Sequence, residues 1–208
     1  MLVELKNISK SYEEKIIFNK YNFRLEDGEM VAIVGDSGTG KTTLINIIGG
    51  LDDADDGQIC IGKYTNPYRN KKLKEKIYRE YIGFLFQNYA LIENYTVYEN
   101  LELATKYVAK GERKKLCEEA LLQVGLSDKH DVKVYKLSGG EQQRVALARL
   151  MVKPNKLILA DEPTGALDAD NRDNVMKILR EMNKLGKGVI IVTHDMFVAN
   201  QCDRIVKL

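Results

Sequence analysis

Two glycine-rich stretches of this 208-residue sequence have the composition of phosphate-binding segments. The first, GDSGTGKTT at 35–43, fits G-x-x-x-x-G-K-[ST] between an apolar run and a helical one. Its glycines leave room for backbone N–H groups to surround phosphate oxygens, and the helix N-terminus adds a positive dipole end. We expect Lys41 to bridge two phosphates and the Thr42 hydroxyl to hold Mg²⁺. The nucleotide-contacting residues predicted here are Gly35, Ser37, Gly38, Gly40, Lys41, Thr42 and Thr43.

Two adjacent carboxylates end another apolar run, KLILADEPT at 156–164. Asp161 stands where a strand-end carboxylate can hold Mg²⁺, and Glu162 can accept a proton from an attacking water as general base. The alternative is that one of these acids only caps the next helix. His194 ends a further apolar strand, and a histidine at the carboxyl edge of a parallel sheet faces the usual ligand crevice. The predicted catalytic residues are therefore Glu162, His194 and Lys41, although a lone histidine is more often a surface or core residue.

The second glycine-rich stretch, YKLSGGEQQRVALARL at 135–150, places a serine and two glycines directly before a predicted helix. Ser138, Gly139 and Gly140 offer a hydroxyl and backbone donors at a helix N-terminus, which is a phosphate-binding arrangement. An ordinary N-cap, with Glu141 completing a capping box, is the alternative interpretation. One chain therefore carries two candidate phosphate sites, and its own residues do not explain why.

The elements that must position these residues alternate between strands and helices. Apolar runs rich in branched or aromatic residues predict buried parallel strands at 30–35, 81–87, 156–161 and 188–194. Helical patterns follow at 42–51 and 172–186, and the early segments have an antiparallel pattern. The composition from Asn88 to Val134 is mostly helical. We predict an α/β fold with a mainly parallel P-loop core, an antiparallel β subdomain near the N-terminus and an inserted α-helical subdomain.

Composition and charge exclude several classes of protein. Hydrophobic residues make up 44% and charged residues 30%, which is typical of a globular domain rather than a disordered chain. The formal net charge of +2 provides no overall attraction to nucleic acid. Three widely spaced cysteines predict neither a disulfide framework nor a zinc site. We expect no signal peptide, no transmembrane span and no regulatory domain after the DRIVKL strand. The basic stretch 69–80 predicts a solvated helix face, with a lipid or nucleic-acid patch as the alternative.

Taken together, these motifs resemble the nucleotide-binding subunit of ABC transporters, over essentially the whole chain and in the expected order. LSGGEQQR is similar to the signature of that family, GDSGTGKTT to its Walker A loop and LILADE to its Walker B strand with the catalytic glutamate. The resemblance also implies an adenine-stacking role for Tyr12, a magnesium-contacting role for Gln87 and a D-loop ending at Asp168. It makes His194 the switch histidine. The implied metal ligands are Thr42, Gln87 and Asp161.

The resemblance implies an explanation for the two phosphate sites. In this family two subunits face head to tail, and each ATP lies between the Walker A loop of one subunit and the signature of the other. Ser138, Gly139, Gly140 and Glu141 would then contact the partner's nucleotide. The resemblance further implies ATP and Mg²⁺ as cofactors, a separate transmembrane permease, and a position on the cytoplasmic face of the membrane. We expect one domain over 1–208, with its core at 1–87 and 154–208 and the helical subdomain at 88–153.

A narrower resemblance, through YIGFLFQNYALI and DEPTGALD, is to the branch that serves macrolide- and peptide-exporting or lipoprotein-releasing complexes. It implies export or mechanotransmission of a peptide, drug or lipid-linked substrate. An importer ATPase is an alternative within transport. A soluble relative that acts on ribosomes or DNA is another, but such proteins usually carry two cassettes or a long coiled coil. A small-molecule P-loop kinase would have no use for LSGGEQQR.

Overall fold

Two β-sheets organise the chain in the computed structural model, which describes residues 1–165 and 168–208. One sheet has the strand order β6-β7-β8-β3-β9 with every neighbouring pair parallel, and the other has the order β2-β1-β4-β5 with antiparallel pairs. The strands are β1 (Val3–Tyr12), β2 (Lys15–Leu25), β3 (Met30–Val34), β4 (Asp56–Ile61), β5 (Tyr64–Thr65), β6 (Ile82–Leu85), β7 (Leu157–Asp161), β8 (Gly188–Val192) and β9 (Arg204–Lys207).

Helices pack on the parallel sheet, and three of them lie in sequence between β6 and β7. They are α1 (Lys41–Gly49), α2 (Lys71–Glu80), α3 (Val97–Ala104), α4 (Lys110–Gln123), α5 (Gly139–Val152), α6 (Ala169–Lys184) and the short α7 (Met196–Ala199). The predicted α/β class is confirmed, including the antiparallel sheet formed by the N-terminal segments. Within the described residues, no helix combines the length and apolar character needed to cross a bilayer.

The four predicted parallel strands form; β7 ends at Asp161 as predicted, whereas β3, β6 and β8 end one or two residues before their predicted limits. The residues beyond these limits leave the sheet because they build turns at its carboxyl edge. Gly35, Gln87 and His194 all lie just outside a strand for this reason. Because β7, β8 and β3 are neighbours, the segments that follow them meet at one edge.

The interval from Asn88 to Val134 is less helical than predicted, since its first helix begins only at Val97. Tyr89 and Ala90 adopt φ of 59° and 46°, which are left-handed conformations that a helix cannot contain. The buried Asn100 then fixes the following turn, because its side chain accepts from the Ile92 amide at 2.9 Å and donates to the Ile92 carbonyl at 3.1 Å.

The strands of the parallel sheet divide their side chains between two cores. Leu157 and Leu159 of β7 pack with the antiparallel sheet and α1, whereas Ile158 on the opposite face packs with α3 to α6. β8 alternates in the same way, with Ile190 in the first core and Ile191 in the second. This alternation fixes the register of both strands, because a slip of one residue would exchange the two faces.

We expect Ile190→Ala to lower the free energy of unfolding by about 2–5 kcal/mol, because the fully buried side chain would leave a cavity in the centre of the sheet. Chemical denaturation measures the change. Leu122→Ala is the control, since Leu122 is 70% exposed and its truncation should alter stability by less than about 0.5 kcal/mol. Equal losses for the two variants would contradict this assignment of the core.

Candidate active site

The first glycine-rich loop turns from β3 into α1 through two left-handed glycines. Gly38 and Gly40 have φ of 80° and 99°, which residues with a Cβ rarely adopt. Gly40 is the N-cap of α1, with no side-chain cap, and the first turn of the helix has no acidic residue. The first amides of α1 therefore remain as donors for an anion. Ser37 and Thr42 are exposed in this loop, and Thr43 is half-buried.

Lys41 lies against the backbone of the loop. Its Nζ donates to the carbonyl of Gly35 at 2.8 Å and to that of Asp36 at 2.7 Å. The Thr39 hydroxyl donates to the same Asp36 carbonyl at 2.9 Å, so the loop is tied together by side chains as well as by glycine geometry. The structure thus brings the ammonium and the helix N-terminus together, which is the positive environment that a polyphosphate requires.

Asp161 ends β7 beside the start of α1. Burial raises the pKa of its half-buried carboxyl, and the adjacent Glu162 raises it further, whereas a hydrogen bond with Thr42 and the charge of Lys41 act in the opposite direction. The carboxylate is therefore costly in the protein alone and would be stabilised by a cation. Two of the three predicted metal ligands, Thr42 and Asp161, therefore lie beside each other.

Glu162 has a strained backbone and a tightly held side chain. Its φ of 44° is left-handed, a conformation that costs a residue with a side chain on the order of 1–3 kcal/mol. Its Oε1 lies 2.8 Å from His194 Nδ1, and its Oε2 accepts from the Thr193 hydroxyl at 3.3 Å. The Glu162 side chain is 16% exposed and that of His194 is 71% exposed, so the pair lies at the mouth of the site. The predicted base and the predicted histidine are thus joined directly.

Tyr12 is positioned by Lys10 and Asp52, which belong to none of the predicted motifs. Its hydroxyl donates to the Asp52 carboxylate, and this bond is the main cause that raises the pKa of the phenol, whereas Thr43 acts in the opposite direction. The buried Lys10 donates to Asp52 at 2.8 Å and to the Asp53 carbonyl at 2.7 Å. Its ammonium lies 4.8 Å from the centroid of the Tyr12 ring. Lys10 and Asp52 therefore fix the ring beside the first turn of α1.

Gln87 is exposed two residues beyond the end of β6, the strand that pairs with β7. The pairing of Leu85 with Ala160 brings Gln87 to the same sheet edge as Asp161. In the described part of the chain its side chain makes no hydrogen bond, so its predicted contact with magnesium stays a prediction.

Ser138 is the N-cap of α5, and it forms a complete capping box with Glu141. The Glu141 amide donates to the Ser138 hydroxyl at 3.3 Å, and the Ser138 amide donates to the Glu141 carboxylate at 2.8 Å. That backbone bond is the main cause that lowers the pKa of Glu141. Ser138 and Gly139 are exposed and Gly140 is half-buried. The capping box therefore forms, and the N-terminus of α5 is still accessible to a second molecule.

Asp168 caps α6, accepting from the Asn171 amide at 2.9 Å and from the Asn171 side chain at 2.9 Å. The backbone bond is the main cause that lowers the pKa of Asp168. The rest of the predicted D-loop, Ala166 and Leu167, lies outside the described residues.

A glycine-rich loop, its lysine, a strand-end aspartate and a glutamate–histidine pair at the carboxyl edge of a parallel sheet define a P-loop nucleoside triphosphatase. The family model for the ABC transporter matches residues 18–165. The chain therefore belongs to the ABC transporter family, and it is an ATP-hydrolysing cassette of that family.

Similar proteins agree with this assignment. The chain is 39% identical over 214 residues to the macrolide export ATP-binding/permease protein MacB 2 of Yersinia pestis, which it matches with 100% of its own length and 32% of the relative's. It is 41% identical over 209 residues to MacB of Campylobacter jejuni, again with 100% of this chain and 33% of the relative. The chain thus spans about a third of the length of these curated relatives.

Solved structures show the same fold. A dimeric post-hydrolysis state of the ATP-binding cassette MJ0796 bound to ADP and Pi has a TM-score of 0.91 and 38% identity, covering 100% of this chain and 94% of that one. CbiO1 from Clostridium perfringens, part of the ABC transporter complex cbiONQ, has a TM-score of 0.88 and 29% identity, covering 99% of this chain and 84% of that one.

We expect Asp161→Asn to stabilise the nucleotide-free chain progressively as the pH rises. Because folding raises the pKa of Asp161, its favourable contribution is present below the unfolded pKa and is lost as the pH rises through the folded pKa. An asparagine does not ionise, so the Asp161→Asn variant keeps its stability where the parent loses stability on ionisation of Asp161. Urea denaturation between about pH 4 and pH 8 measures the difference in unfolding free energy between variant and parent.

Asp128→Asn, which neutralises an exposed aspartate, is the matched control and should show no comparable trend. A stability difference between Asp161→Asn and the parent that stays constant over the pH range would contradict the expectation.

Proposed function

We propose that the chain binds ATP with Mg²⁺ at the loop 35–43 and Asp161, and that Glu162 acts as general base on the attacking water. The observation that carries this proposal is the direct pairing of Glu162 with His194, beside the carboxylate and the lysine that a triphosphate requires. Glu162 accepts the proton of the water, His194 orients the γ-phosphate, and Lys41 neutralises charge that develops in the transition state.

The residues at the sheet edge fit a magnesium ion. Asp161 is a half-buried carboxylate whose ionised form is disfavoured by burial and by Glu162, and Thr42 adds a hydroxyl oxygen next to it. Oxygen ligands of this kind, with phosphate oxygens completing the shell, suit Mg²⁺. We propose Thr42, Asp161 and Gln87 as its protein ligands. When bound, the ion would neutralise phosphate charge and fix the geometry of the β- and γ-phosphates.

We further propose that two copies, or this chain and a related ATPase subunit, close head to tail around two ATP molecules. Ser138, Gly139, Gly140 and Glu141 would meet the partner's nucleotide at the open N-terminus of α5, and Asp168 would lie at the same interface. The cassette MJ0796 is dimeric in its ADP-bound structure, which supports this arrangement. A contact that exists only while the γ-phosphate is present makes closure dependent on ATP.

The partner proposed for the dimer is a transmembrane permease in a separate subunit, so the chain would work at the cytoplasmic face of the membrane. The names of the MacB relatives combine ATP binding, permease and macrolide export, which supports the export of a drug, peptide or lipid-linked substrate. We propose the division of the cassette into a core at 1–87 and 154–208 and a helical subdomain at 88–153 as the structural basis of this coupling.

The surface proposed to receive the permease is the segment from Gln87 to Glu99. Ile92 and Tyr95 within it are 43% and 41% exposed, and Tyr135, which is 53% exposed, is held beside the segment by the bond from its amide to the Glu93 carbonyl. Exposed apolar side chains grouped in this way are typical of a protein interface.

We expect Glu162→Gln to bind ATP as the parent does but to hydrolyse it at least about 100-fold more slowly, because an amide cannot accept the proton of the water. ATP-bound dimers should then accumulate. Phosphate release measures the chemical step, and size-exclusion chromatography with ATP and Mg²⁺ measures the dimer.

Two variants make this experiment specific. Lys41→Ala should lose ATP binding and should form no dimer, while Glu112→Gln, a change of the same chemistry at an exposed residue of α4, should behave as the parent. Dimers of Glu162→Gln that open as fast as those of the parent would refute the assignment of Glu162 as the base.

We expect tagged Glu162→Gln, expressed in its native cell and solubilised with ATP, to co-purify with a polytopic membrane protein that has a large extracytoplasmic domain. Ile92→Glu in the same background should abolish this association, because a charge would enter the apolar surface, while ATP binding persists. Leu122→Glu, at an exposed leucine outside the segment, is the control.

The identity of the captured protein distinguishes the alternatives. A compact permease accompanied by a binding protein would indicate import and contradict export. Ribosomal or DNA-repair proteins without a membrane partner would contradict the transport function.

A further inference from the structure

Gln143 is a buried amide on the helix that begins with the second glycine-rich segment. It lies in the second turn of α5, with 2% of its surface exposed. Its Nε2 donates to the backbone carbonyl of Pro163, the residue that follows Glu162. The amide nitrogen of Gln143 is the donor in this bond, because a carbonyl only accepts.

Packing alone does not explain an amide at this position. The buried neighbours of Gln143 along α5 are the apolar residues 145–148, and an apolar side chain of similar size would complete that face. The Oε1 atom of Gln143 has no hydrogen-bond partner within residues 1–165 and 168–208. Burying an amide with half of its polar capacity unused is unfavourable, so the bond to Pro163 needs a reason other than stability.

Pro163 belongs to the turn that sets the direction of the catalytic carboxylate. Proline has no N–H, so the peptide between Glu162 and Pro163 has no donor with which to anchor this turn. The Glu162 amide anchors the start of the turn by donating to the Val192 carbonyl at 2.9 Å. Beyond it, the described residues provide the Gly165 amide, 3.2 Å from the Glu162 carbonyl, and the Gln143 side chain on the Pro163 carbonyl. Glu162 has a left-handed backbone with φ of 44°, and the Gln143 bond is the side-chain contact that holds the peptide after Pro163 in this strained turn.

A second bond ties the same part of α5 to the next element of the site. Arg144 Nη1 donates to the Asn171 side chain at 3.1 Å, and Asn171 in turn donates to Asp168. The first two turns of α5 are therefore hydrogen-bonded both near Glu162, through Pro163, and at the start of α6, through Asn171.

We infer that Gln143 is a positioning residue for hydrolysis, which sets the Glu162 carboxylate through the Pro163 carbonyl. The inference rests on the proposed function, in which Glu162 is the base and Ser138 meets the nucleotide bound by the partner. Because Ser138 and Gln143 lie on one helix, occupation of the partner's ATP site would then align the base that acts on the chain's own ATP. The two sites of the dimer would communicate through α5.

The test is steady-state ATP hydrolysis by the full chain carrying Gln143→Met, which keeps the length of the side chain and removes the donor. We expect kcat to fall about 10- to 100-fold, which is the scale expected when a catalytic group moves by on the order of 1 Å. KM for ATP and the affinity for a fluorescent ATP analogue should stay within about twofold, because Lys41 and its loop are untouched. The Hill coefficient for ATP should fall towards that of independent sites.

Asn155→Leu is the matched control. Asn155 is also a buried amide with an unpaired oxygen in the described part of the chain, and its nitrogen donates to the Leu150 and Lys153 carbonyls at the opposite end of α5. Its replacement should alter thermal stability as much as Gln143→Met does. The control should leave kcat and the Hill coefficient unchanged.

Gln143→Glu adds a readout that loss of structure would not reproduce. A protonated carboxyl can donate to the Pro163 carbonyl as the amide does, whereas a carboxylate cannot. The ratio of variant to parent kcat should therefore rise as the pH falls. A ratio that is independent of pH, with a kcat for Gln143→Met within about twofold of the control, would overturn the inference while leaving the proposed function intact. Parent activity no greater than that of Lys41→Ala would instead overturn the proposed function, and the inference with it.

Discussion

Parallel pairing of β3, β8 and β7 is the constraint on which the site depends. These strands run side by side in one direction, so the residues that follow each of them must emerge at the same edge. The segment after β3 is the phosphate loop, that after β8 contains His194, and β7 ends at Asp161. Apolar packing holds this register from both faces. β7 and β8 send alternate side chains into the two cores, and β3 sends Val31 and Ile33 into one core and Ala32 and Val34 into a small cluster on the other face. The catalytic geometry is thus a consequence of apolar packing some distance from it.

The same constraint explains why much of the site could be predicted from the sequence. Short apolar runs predicted the parallel strands, and a strand end followed by a polar residue predicts a functional edge without any knowledge of contacts. Glu162 and His194 are 32 residues apart in sequence, yet each was predicted because each ends such a run, and the structure joins them at 2.8 Å. Local chemistry also indicated the capping box of Ser138 with Glu141, as the alternative to a phosphate site, since its members are only three residues apart.

Residues whose role depends on distant partners could not be predicted in this way. Lys10 belongs to no recognisable motif, and its bond to Asp52 joins residues that are 42 positions apart in sequence. The turn after Gln87 was predicted within a helical interval, because composition does not reveal that Tyr89 and Ala90 adopt left-handed conformations. Gln143 appeared as one polar residue in a helical pattern, and its bond to Pro163 arises only when α5 packs on the sheet edge. A local sequence pattern indicates residues that end strands and helices, but it does not indicate residues that join distant segments.

Several residues that bond to distant segments lie on α5, so this helix can transmit movement between those segments. Ser138 caps one end, Gln143 holds the turn after Glu162, and Arg149 near the other end donates to the Tyr89 carbonyl at 2.7 Å and to the Ala90 carbonyl. An α-helix transmits displacement along its axis with little internal change, because its backbone bonds are all internal. A shift of α5 would therefore move both the turn after Glu162 and the loop after Gln87. Three of the seven non-glycine residues with positive φ in the described part of the chain, Tyr89, Ala90 and Glu162, lie in the two segments that α5 holds, where a small movement of the anchor has most effect on the backbone.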